Sequence, residues 1–118
     1  MSHEQGSNKR KFIRVPVALS IQFSRLEDFG EFVEANATDL SQGGIFIKTD
    51  RPRPVGTQVQ MQISIPGKPT VHLRGMVRHI RYSQQIPGNP PLGMGIEFKN
   101  LDKETQELIL QLLKMLGR

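Results

Sequence analysis

Apolar and polar residues alternate along most of this chain. Val15, Val17, Leu19, Ile21 and Phe23 are interleaved with Pro16, Ala18, Ser20, Gln22 and Ser24. A period of two puts one set of side chains on one face of a strand. Pro16 has no N–H to give to a ladder, so full pairing is expected only beyond it. Residues 25–31 read as a loop around Gly30. A second strand is expected from about Phe32 to Thr38, with Val33, Ala35 and Ala37 sharing a face. Asp39-Leu40-Ser41-Gln42-Gly43-Gly44 reads as a turn, and Ile45-Phe46-Ile47 as a short strand after it. Beyond a loop with two prolines, Val59, Met61, Ile63 and Ile65 alternate with Gln58, Gln60, Gln62 and Ser64, the cleanest strand pattern in the chain. A turn at 66–69 leads to a fifth strand marked by Val71, Leu73 and Val77, running to about Tyr82. Gly75 within it signals a bend or a close backbone approach. After a loop at 83–91, Leu92, Met94, Ile96 and Phe98 mark a sixth strand.

The period then lengthens. Leu101, Leu108, Ile109, Leu112, Leu113 and Leu116 recur at helical spacing. Asp102 suits an N-cap, Glu104 suits the positive helix start and Gly117 suits the stop. Leu110 and Met115 extend the apolar surface beyond one stripe and leave material for a homodimer contact. Six short strands and one helix predict a small antiparallel barrel or sandwich, with the helix covering an opening or flank. At 118 residues the chain has the size of one domain. Residues 1–8 are expected to be a flexible tail and 9–118 a single domain, divided into an arm at 9–14, a barrel at 15–99 and a helix at 102–116.

Composition narrows the chemistry. There is no cysteine, which excludes disulfides, cysteine nucleophiles and cysteine-based metal sites. No signal peptide is visible, and no stretch approaches the roughly 20 apolar residues of a membrane span. The expectation is a soluble, cytoplasmic protein. The net charge of +5 is unevenly spread: Lys9, Arg10, Lys11 and Arg14 crowd one segment, and 51–81 holds six basic residues and no acid. Such a distribution favours an anionic partner, although each basic residue taken singly is explained by a solvated surface.

Two short constellations carry candidate chemistry. Arg10 and Arg14 stand four apart before the first strand. A guanidinium presents a planar fork of donors that fits phosphate oxygens or the O6/N7 edge of guanine. A solvated basic arm explains the pair equally well. In the turn, Asp39 has acceptor oxygens suited to the N1–H and N2–H of guanine. Ser41 can donate or accept, and Gly43 and Gly44 permit positive φ and close approach of backbone N–H groups to an anion. An ordinary Asx-turn also accounts for these residues.

His72 and His79 are seven apart in one strand, so alternation turns them to opposite sides. No nucleophile–base pair and no metal-ligand spacing emerges, so neither an enzyme nor a metal site is expected, and no residue is assigned a catalytic role. Nucleic-acid binding is disfavoured because aromatics are few and most Phe sit in core-facing registers, whereas stacking platforms need exposed rings.

Taken together the constellations are more specific. RKFIR and DLSQGG lie about 25 residues apart with one hairpin between them. In this the chain resembles the PilZ family, whose cyclic di-GMP receptors carry RxxxR before the first strand and D/NxSxxG after the second. The resemblance covers roughly residues 9–99 and extends to Gly75-Met76-Val77, to Gly93–Phe98 and to the terminal helix. It implies a six-stranded antiparallel PilZ-type β-barrel with a C-terminal α-helix. It also implies a receptor for cyclic di-GMP, with no other cofactor, that signals to an effector protein still to be identified. By position it assigns Arg10 and Arg14 to guanine and phosphate, and Asp39, Ser41, Gly43 and Gly44 to a guanine and its surroundings. Lys9, preceding the first arginine, bears on ligand stoichiometry. Arg78 stands where many relatives have an aromatic after Val77, and is a further candidate contact. The N-terminal arm is expected to fold over the barrel when ligand binds. Relatives without the motifs act as protein-interaction modules alone, and motility, pilus assembly, polysaccharide export and gene regulation are all open as outputs.

Overall fold

The computed structural model describes residues 13–27 and 31–117. Six strands, β1 (Val15–Arg25), β2 (Val33–Leu40), β3 (Gly44–Lys48), β4 (Gln58–Ser64), β5 (Val71–Tyr82) and β6 (Pro91–Phe98), precede one helix, α1 (Lys103–Leu116). All strand pairs are antiparallel, and they close into a barrel in the order β1-β2-β3-β6-β5-β4. Of the two architectures the alternation allowed, the barrel is the one formed.

The inward set of each strand makes one core. Ile21, Phe23, Ile47, Val59, Met61, Ile63, Val77 and Met94 are almost wholly removed from water. Each such aliphatic side chain contributes about 1.5–3 kcal/mol relative to exposure. The core side of α1 is supplied by Ile109 and Leu112, with Leu101, Leu108, Leu113 and Leu116 packed beside them. The helix lies against β1 and β5. Asp102 caps it as expected, its Oδ1 accepting from the Thr105 N–H at 2.8 Å. That hydrogen bond holds the Asp102 carboxyl below its ordinary value. Leu110 and Met115 are exposed on the outer side. No helix among the described residues is long and apolar enough to cross a membrane.

The ladders depart from strict alternation at four places, one of them between Arg81 and Tyr82 at the end of β5. The β1–β2 register shifts between Pro16 and Leu19, in line with the incomplete pairing expected at the proline. In β2, Ala37 faces Ile47 and Asp39 faces Phe46 on the adjacent β3 residue, so Thr38 is an extra residue. In β5, Val77 faces Ile96 and His79 faces Gly95, so Arg78 is extra. A bulge of one residue exchanges the inward and outward sets beyond it. β2 consequently continues to Leu40, which is buried, and Asp39 lies in a strand rather than in a turn. In β5 the inward position passes to Ile80, and His79 and His72 are both exposed. The expectation that the two histidines face opposite sides therefore fails, because the bulge at Arg78 reverses the parity between them.

Candidate ligand cleft

The two bulges create a single outward row across four strands. Asp39 pairs with Phe46, Phe46 with Gly95, and Gly95 with His79. Without the extra residue at Thr38, Asp39 would share the inward face with Ala37. Without the one at Arg78, His79 would follow Val77 into the core. The row lines a cleft of about 470 Å³.

The Ser41 turn also lines this cleft, as does Arg14, the residue before β1. The turn is held by its own bonds. The Ser41 Oγ accepts from Gly43 N–H at 3.2 Å and Gly44 N–H at 3.1 Å, and the Ser41 N–H donates to the Gly44 carbonyl at 2.9 Å. Neither glycine takes a positive φ, as residues 56, 67 and 88 do, so the conformational reason expected for them does not apply. Gly44 is needed for closeness instead: a Cβ there would run into the Ile96 carbonyl oxygen. The partner of Gly44 on β6 is Glu97.

Glu97 organises the charge on the far wall. Its Oε1 lies 3.3 Å from Arg78 Nε and 3.2 Å from Lys99 Nζ. That oxygen is out of water yet makes no hydrogen bond of good geometry, so its attraction to the two cations is largely through space. The side chains are partly exposed, and such pairs are worth about 0–1 kcal/mol.

Phe46 and His79 form the floor. The residues flanking Phe46, Ile45 and Ile47, belong to the core cluster, whereas Phe46 is turned outward and kept from water by its neighbours. The His79 ring lies beside it, with centroids 6.2 Å apart and planes inclined by 27°. The Arg81 guanidinium lies 4.3 Å from the Phe46 ring centre. Partial burial pushes the His79 imidazole below its ordinary value, and the Arg81 and Arg14 cations push it the same way. His79 is thus a neutral ring among cations near neutral pH.

Of the residues singled out from sequence, Arg14, Asp39, Ser41, Gly43, Gly44 and Arg78 all line this one cleft. Arg10 and Lys9 lie outside the described residues. Phe46, His79 and Glu97 were not anticipated there. Gly93 and Gly95, two small residues on one outward face, were the available signal for a ring lying on that strand, but nothing in the local pattern announced the bulge that brings His79 to it.

Comparison with known proteins agrees with this architecture. A family model, the PilZ domain, matches residues 8–115. No curated protein matches the chain. Among solved structures, the PilZ domain with c-di-GMP of YcgR from Escherichia coli superposes with a TM-score of 0.72 at 17% identity, covering 92% of this chain and 91% of that one. The inhibitor of motility MotI/DgrA of Bacillus subtilis gives 0.72 at 19% identity, covering 91% of this chain and 50% of that one. The PilZ domain of CeSA from a cellulose-synthesizing bacterium gives 0.64 at 20% identity, with coverages of 89% and 98%. The likeness at such identities is one of fold. The chain spans about half the length of MotI/DgrA and nearly all of the two isolated domains.

Proposed function

The chain belongs to the PilZ domain family, and from that premise we propose that it is a cytoplasmic receptor for cyclic di-GMP rather than an enzyme. One observation carries the reading: residues from both motifs, 25 positions apart in sequence, meet in one cleft as Arg14, Asp39, Ser41, Gly43 and Gly44. Their chemistry matches the ligand part for part. The Arg14 fork offers paired donors to a phosphodiester oxygen or to the O6/N7 edge of guanine. The Asp39 carboxylate is an acceptor for the N1–H and N2–H of guanine. The Gly43 and Gly44 N–H groups, now given to Ser41 Oγ, are the donors an anion at the turn could share. The YcgR domain of the same fold was solved with c-di-GMP, which adds to the case.

In this reading Arg10 joins Arg14 on the ligand, Lys9 and Arg78 supply further positive charge, and the arm at 9–14 becomes ordered against the Asp39–Gly44 turn. Ordering offsets part of the binding free energy and presents a new surface to an effector protein. Hydrogen exchange over residues 5–15 should slow at saturating ligand, and unchanged exchange would refute the ordering step. A role in motility is one candidate output, since the MotI/DgrA neighbour is an inhibitor of motility.

A second reading, a ligand-independent interaction module, is favoured by one feature: the Ser41 turn satisfies the Gly43 and Gly44 donors with its own Oγ. Calorimetric titration of cyclic di-GMP separates the two. The receptor reading expects micromolar or tighter binding that weakens about tenfold or more in Arg14→Ala and in Asp39→Ala, each removing a charge-assisted hydrogen bond worth about 1.5–3 kcal/mol. Absence of binding by the unaltered protein selects the interaction module.

A further inference from the structure

We propose that the His79 imidazole is the platform on which one purine base of the ligand stacks. The inference rests on the cyclic di-GMP reading above and adds a residue that neither motif contains.

The geometry is specific. A Cβ built on Gly95 would overlap the His79 ring at Cε1 and at both nitrogens, so the ring lies across the bare backbone of β6. His79 is nevertheless an exposed residue, which leaves the side turned away from β6 open to the cleft it lines. Phe46 braces the ring from beside it, and Arg81 in turn lies over Phe46. A flat ring backed by protein on one side and open on the other has the form of a base-stacking site, and such sites tolerate any ring with a π-face. The neutral state of the imidazole, held by partial burial and by Arg81 and Arg14, suits a stacking role better than a phosphate-binding one.

Position separates this role from that of Asp39. Both belong to the same outward row, with Phe46 and Gly95 between them. Three inter-strand spacings amount to about 14 Å, too far for one base to meet both. Asp39 would hold the edge of one guanine and His79 the face of the other, with the phosphodiesters between them, within reach of Arg14 and Arg78. The bulge at Arg78 is what delivers the His79 ring to the cleft.

Calorimetry with cyclic di-GMP on the unaltered chain, His79→Ala and His79→Phe tests the proposal, with thermal unfolding of each variant as a check on folding. His79→Ala should bind about tenfold more weakly, and His79→Phe should remain within about twofold of the unaltered chain. Equal affinity of His79→Ala would overturn the platform, as would a loss in His79→Phe as large as in His79→Ala, because the imidazole nitrogens would then be what matters. Should either variant fail to fold, proton NMR of the unaltered protein decides. A stacked purine must shift the His79 Cε1–H and Cδ2–H resonances upfield at saturation, and their staying in place refutes stacking. If the unaltered chain takes up no cyclic di-GMP at all, the receptor reading itself falls, an outcome distinct from binding that ignores His79.

Discussion

β4 and β5 lie side by side in the barrel and were made by different rules. β4 pairs with β1 and with β5 without a single register shift, and Val59, Met61 and Ile63 all face the core. β5 keeps that regularity as far as Val77, then takes an extra residue at Arg78 and reverses its faces. β2, on the other flank of the β3–β6 pair, does the same at Thr38. The regular wall stabilises the barrel and the bulged wall shapes a cleft. Irregularity is concentrated where polar groups must be turned outward, a known use of bulges beside functional sites.

That division can be attacked from either side. Ile63→Ala in the regular wall should cost the most, about 2–5 kcal/mol of stability by urea unfolding, while the fraction still folded binds cyclic di-GMP as before. A parallel loss of affinity would show that the two walls are not separable. Gly44→Ala drives a Cβ into the Ile96 carbonyl and should cost about 1–3 kcal/mol as overpacking against backbone. Because Gly44 belongs to the cleft, ligand affinity should fall with it. Glu97→Gln should act on the cleft alone. Releasing Arg78 and removing a carboxylate from the wall should tighten cyclic di-GMP binding by about threefold, read by calorimetry, with little change in unfolding midpoint. Weaker binding in that variant would mean that Glu97 itself accepts from the ligand.

The smallest effect concerns pH. His79 is pushed below the ordinary imidazole value in the folded chain, so the unfolded chain takes up its proton first as pH falls. The contribution of His79 is fully present above that unfolded value and is lost as pH drops through it toward the folded one. His79→Gln should therefore flatten slightly the fall in stability between about pH 7 and pH 5. Identical pH profiles for the two proteins would show that burial and the Arg81 and Arg14 cations do not disfavour the charged ring.

Alternation and turn residues made most of this fold legible. The six strands and the helix form close to where periodicity placed them, since apolar period reports burial directly. Asp39 shows what alternation misses. It looked like a turn residue because Ser, Gln and two Gly follow it, yet it is paired on both sides within β2. His79 was expected on the side opposite His72, and the bulge at Arg78 puts both on the outside. A bulge depends on how a strand meets its neighbours, and those neighbours are distant in sequence, so no local window contains the information. Arg14, Asp39, Ser41 and the two glycines of the cleft could be named from motifs, whereas its ring floor and Glu97 could be found only from the register.

The Phe46–Gly95 pairing has a consequence for when this protein becomes competent. β3 and β6 are nearly fifty residues apart, and the floor of the cleft does not exist until they meet. A nascent chain on the ribosome that has released β1 to β5 holds Arg14, Asp39 and His79 but has nothing to lay the imidazole upon. Domains emerge N-terminal end first at about 5–20 residues per second, so the floor would be complete only some seconds after β3 has emerged, once β6 has followed it.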